Sequence, residues 1–218
     1  MVWRRPSFWK NVQLSRLIMD IIIEPHYFGN IEYFSKLSKA KNVRFEINEH
    51  FVKQTYRNRT VIYGANGPLN LTVPLVRKKG RIALKDAEID NDQRWKSLHW
   101  RSLESSYRSS PYFEYYEHQF KPLFEAEHTH LVDWNIEMIK KVASLLQIEF
   151  ETDTTEKYDK SSGSFVDLRN TISPKIKHDT KYPEQEYIQV FASKLPFEYN
   201  LSILDLLFNE GPNTISFL

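Results

Sequence analysis

The chain has 218 residues, 41% of them hydrophobic and 14% aromatic, with 30 basic and 28 acidic side chains and no cysteine. That is enough apolar material for one sizeable core, while the near-balanced charge argues against a dedicated nucleic-acid binder, which carries a clustered basic excess. The lack of cysteine removes disulfide frameworks, thiolate metal sites and cysteine nucleophiles, and fits a cytoplasmic protein.

Residues 1–18 are basic through Arg4, Arg5, Lys10 and Arg16, and the apolar run from Leu17 to Ile23 is broken by Asp20. This is neither a signal-peptide core nor a membrane span of about 20 apolar residues. We read 1–18 as an extension outside the native domain, with Met19 as a second candidate start, and 19–218 as the domain. A membrane-surface anchor through Trp3, Phe8 and Trp9 is the competing reading.

Asp20 to Ile23 has strand character, and Glu24-Pro25 stops it, because proline removes a ladder donor and restricts the residue before it. Gly29-Asn30 signals a turn, and Ile31, Phe34 and Leu37 begin a helix to about Ala40. Val43, Phe45 and Ile47 alternate with polar residues, the period-two mark of a half-buried strand. Arg59 to Gly64 and Leu69 to Val76 read as strands joined at Asn66-Gly67, a strong hairpin signal. Pro74 demotes the second to an edge or bulge. Ile82 to Ile89 is expected to be a further strand.

From Asp92, a plausible N-cap, the pattern turns helical through Trp95, Leu98, Leu103 and Tyr107. Pro111 restarts a second helix over 112–125, and Ile136, Ile139, Val142 and Leu146 stripe a third over about 131–147. Phe150 to Thr154 and Tyr187 to Phe191 suit strands, Thr155 to Gly163 and Lys175 to Pro183 are polar connections, and Ser202 to Asn209 suits a short helix. The expected fold is a single α/β domain, with a mixed sheet in the N-terminal half followed by a largely helical section.

Three clusters carry candidate chemistry. Glu24, His26 and Tyr27 follow a strand, where open α/β sheets present ligand sites, and a carboxylate beside an imidazole can work as acid and base. Glu24 and His26 are the candidate catalytic residues and Tyr27 a substrate contact. Lys53, Asn58 and Arg59 lie in a segment of cations, amides and a tyrosine suited to a phosphate or carboxylate. Trp95 and His99 share one helix face. Dinucleotide, P-loop, serine-hydrolase and zinc-protease motifs are absent. His128 and His130 have spacing unsuited to a metal pair in an inter-helix turn, and no metal site is assigned.

Six segments in order, E-P-H-Y-F-G-N-I-E-Y-F (24–34), K-Q-T-Y-R-N-R (53–59), N-G-P-L-N-L-T-V-P (66–74), W-K-S-L-H-W (95–100), Y-R-S-S-P-Y-F (107–113) and L-L-F-N-E-G-P (206–212), resemble the WbqC-like family of bacterial proteins. The chain departs at Glu24, where many relatives carry glutamine, and at Gly29 and Glu32, where they carry a second proline and a glycine. Some relatives sit among genes for surface polysaccharide synthesis, so the resemblance implies a transferase acting on a nucleotide-activated sugar. A small-molecule substrate, phosphorylated or nucleotide-linked, is the expected partner, with cofactor and oligomeric state unassigned. The alternatives are a non-catalytic binding or scaffold protein and a nucleotidyltransferase-like enzyme.

Overall fold

The computed structural model describes residues 19–176, 182–183 and 185–218. The expectations for 1–18 and for much of 175–183 lie outside these residues.

The fold is mixed α/β, and its centre is a βαβ unit. Strand β1 (Met19–Ile23) pairs in parallel with β2 (Ala40–Phe45), and helix α1 (Ile31–Leu37) makes the crossover that parallel strands require. The α1 helix starts where the Asn30 side chain accepts the Tyr33 backbone N–H at 3.0 Å, a polar cap on an otherwise unpaired donor. Nearly every α1 side chain is buried, as expected of a helix enclosed on all sides. Strands β5 (Glu151–Thr154) and β6 (Val166–Asp167) complete the sheet, in the order β5-β2-β1-β6 with every pair parallel. The chain leaves β1 towards β2 and β5 and returns to place β6 on its other side. Such a reversal opens a crevice at the carboxyl ends of the strands on either side of it.

Strands β3 (Arg59–Gly64) and β4 (Gly67–Thr72) form a separate antiparallel hairpin. Gly67 is first in β4 with a φ of 106°, a conformation glycine adopts without steric cost. Helices α2 (Trp95–Tyr107), α3 (Phe113–Glu125) and α4 (Leu131–Leu145) follow, then α5 (Ile203–Glu210). Phe28, Trp100, Phe113, Phe120, Phe124, Trp134 and Phe208 interlock in edge-to-face and tilted pairs at the core. Helix α5 is threaded into this core: Ile203 N–H donates to Gly29 O, Ser202 N–H to Val61 O, and Ile31 N–H to Leu201 O.

Two expected strands are not formed. Residues 82–89 make a 3₁₀ turn (Leu84–Asp86) flanked by single bridges, because the Leu84 and Lys85 N–H groups donate to Glu49 O and Ile47 O instead of to a ladder. In 187–191 the alternation is real, with Tyr187 and Gln189 buried and Ile188 exposed. There the inward groups bond to the Asp205 side chain and not to a neighbouring strand. Helix α2 begins after Arg94, two residues beyond the expected cap at Asp92.

Candidate functional site

Strand β1 ends at Ile23, and Pro25 turns the chain so that Glu24 and His26 lie at the carboxyl end of the sheet, both buried. His26 Nε2 is 3.6 Å from Glu24 Oε1, and the imidazole stacks on the Tyr33 ring with centroids 4.5 Å apart. The Tyr33 hydroxyl donates to Glu24 O at 3.2 Å, fixing the turn beneath the pair. Neither ring nitrogen of His26 has a hydrogen-bond partner among the described residues.

Behind this pair stands Arg57, fully buried. Its Nη2 lies 2.6 Å from Glu49 Oε2 and 3.5 Å from Glu24 Oε1, and donates to Asn170 Oδ1 at 2.9 Å. A guanidinium removed from water needs such compensation, because its desolvation costs several kcal/mol. Asn170, just beyond β6, closes the group: its N–H donates to Glu24 Oε2 at 3.0 Å and its side-chain amide to Glu49 Oε1 at 2.9 Å. Asn135 on α4 donates to both Pro25 O and Arg57 O, tying the two segments together. Burial would push the Glu24 carboxyl up, but His26, Arg57 and the Asn170 N–H outweigh it and hold it at about 2.

The second group of expected residues is joined by its own contacts. The Tyr27 hydroxyl meets His99 Nδ1 at 2.8 Å, and Trp95 lies edge-on to both His99 and Trp134. Burial lowers the His99 pKa to about 4, partly offset by its bond to the Thr72 carbonyl, so the ring is neutral at physiological pH. Among the described residues, Tyr27 and His99 share no side-chain partner with His26.

The third group borders His26 through Tyr56, whose ring is 5.7 Å away. Tyr56 lies within the electrostatic reach of Arg59, which donates to Gln54 O, while Lys53 is exposed nearby and its carbonyl accepts Lys175 Nζ. The Asn58 amide donates to Val73 O and is committed to the hairpin. Arg57, Glu49, Asn170 and Asn135 carried no individual signal in the sequence. Arg57 stood two residues from Arg59 in one polar segment, and the loops after parallel strands were the general pointer to Asn170. Among the described residues no cluster of histidine and carboxylate side chains is arranged to hold a metal ion, and no helix is long and apolar enough to cross a membrane.

A model of the WbqC-like protein family matches residues 24–182, from the first residue of the buried pair past Asn170. An uncharacterized protein of Mycobacterium tuberculosis is 26% identical over 226 residues, covering 90% of this chain and 96% of its own. No solved structure matches the chain.

Proposed function

The chain belongs to the WbqC-like protein family, and on that premise we propose that it is a transferase acting on a nucleotide-activated sugar in surface polysaccharide synthesis. The observation that carries the reading is His26: an imidazole with both nitrogens unbonded among the described residues, held against an ionised carboxylate at the carboxyl end of a parallel sheet. His26 takes the proton of the acceptor, and Glu24 stabilises the imidazolium that forms. Arg57 sets the position of that carboxylate. Lys53 and Arg59, on the Tyr56 side of His26, hold the phosphates as point charge and planar cation. Asn58 supports them through its bond to the hairpin, and Tyr27, Trp95 and His99 form the packed wall behind the turn.

The test is a melting series with a panel of nucleotide sugars. A true substrate at a hundredfold excess over its Kd raises the melting temperature by about 5–10 °C. His26→Gln keeps that shift and loses transfer by roughly 100-fold or more. A wild-type protein that no nucleotide sugar shifts would overturn the reading.

A second reading is a non-catalytic binding or scaffold protein. It is favoured by the way Arg57 and His26 already face Glu24 and Glu49 within one closed group. Inertness to every nucleotide sugar together with a stable protein partner recovered in pull-down supports it.

A further inference from the structure

Asn170 does more than close a loop. Its carbonyl oxygen accepts from Arg57 Nη2 at 2.9 Å while its amide nitrogen donates to Glu49 Oε1 at the same distance. Arg57 Nη2 and Glu49 Oε2 are themselves 2.6 Å apart. A donor cation and an acceptor anion therefore stand side by side, and one planar amide bridges them with its C=O and N–H on the same side.

We propose that the Arg57–Glu49 pair is a recognition site for a cis-amide, occupied in this state by Asn170 as an internal stand-in. The ligand class is a primary carboxamide or the equivalent lactam edge. The charges select it: Glu49 repels a phosphate or carboxylate, Arg57 repels an amine, and a secondary amide in the ordinary trans form directs its N–H away from its C=O. Arg57 Nε and Nη1, both buried, have no partner among the described residues, so the guanidinium retains unused donors beside the bridged pair.

Asn170 is placed to leave. It is exposed, its φ of 59° lies in the left-handed region, and the strand preceding it pairs with β1 over only two residues. The proposal goes beyond the transferase reading and does not depend on it.

Asn170→Gly removes the stand-in and suits the left-handed backbone. Binding of acetamide, 2-pyrrolidone, N-methylacetamide and acetate to wild type and variant is followed by NMR titration. The variant should bind acetamide at least about tenfold tighter than wild type, because an internal competitor has gone. N-methylacetamide and acetate should gain nothing. Comparing acetamide with 2-pyrrolidone separates a carboxamide from a lactam ligand. Adding Glu49→Ala should abolish the preference for acetamide over acetate. Equal gains for all four probes, or no gain for either acetamide or 2-pyrrolidone, overturn the proposal, and Asn170→Ser gives the same readout if the glycine variant does not fold. The nucleotide-sugar melting series in wild type is read separately, so either idea can fail alone.

Discussion

Three buried titratable side chains set how stability responds to pH, and their signs differ. Glu24 is held at about 2 against an ordinary 4.5, so its contribution is present above pH 4.5 and is lost as pH falls through 2. His99, lowered from 6.5 to about 4 by burial, must take up a proton in the core on acidification. Its contribution is complete above pH 6.5 and is lost as pH falls to 4. Asp205 runs the other way. Burial raises it from 3.8 to about 6 despite hydrogen bonds from Tyr187, Tyr107 and Gln189. Its contribution is complete below pH 3.8 and is lost as pH rises through 6. Each shift is worth about 3 kcal/mol at roughly 1.4 kcal/mol per unit. Between pH 4 and 6 the His99 and Asp205 slopes therefore oppose each other. Urea midpoints across that window should tilt in opposite directions in two variants: His99→Gln loses stability as pH rises, and Asp205→Asn gains it. Parallel slopes would show that one of these groups is not buried in its neutral form.

At the level of elements, the turn from β1 into α1 is where local chain geometry decides the site. A Cβ on Gly29 would lie 2.5 Å from Tyr33 Cδ1 and 2.9 Å from Cγ, and Tyr33 carries both the stacked His26 ring and the bond to Glu24 O. Gly29→Ala should therefore cost about 1–3 kcal/mol as overpacking and displace His26 as well. Denaturation midpoints should fall, and the His26 ring resonances should shift by NMR. A variant with unchanged ring shifts would mean that the glycine serves packing alone. This turn was legible in the sequence, because proline, glycine and the Ile31–Phe34–Leu37 spacing are local signals. The partner of Glu24 was less so. Lys53 and Arg59 were the cations singled out in the 53–59 segment, whereas the arginine that turns inward is Arg57, which lies in the turn before β3 starts at Arg59. Asn170, 146 residues from Glu24, is brought in only by β6 joining the far side of β1. Periodicity likewise misled at 187–191, since alternation reports burial and not whether a neighbouring strand exists.

For the whole molecule, the question is which part of the chain must be present for the core to close. The family match ends at residue 182, yet Ile203, Leu204, Leu206, Leu207 and Phe208 are all fully buried beyond it. At about 1.5–3 kcal/mol for each such side chain, α5 contributes on the order of 10 kcal/mol, comparable with the entire stability of a domain of this size. The chain leading into α5 also pairs with backbone elsewhere in the core. Gly29 O and the Ile31 N–H in the turn into α1, and Val61 O on β3, all pair with residues 201–203. The same segment also holds the turn that follows His26, since the Ser202 hydroxyl donates to Phe28 O alongside the Thr60 hydroxyl of β3. A chain cut after Tyr199 should then lack not a peripheral helix but the floor of the candidate site, and no cooperative transition should remain by circular dichroism. If the truncated chain still melts cooperatively within about 10 °C of the full one, the site's architecture is carried by the sheet alone. In that case the carboxyl-terminal segment, outside the family match, can vary without consequence for chemistry at His26.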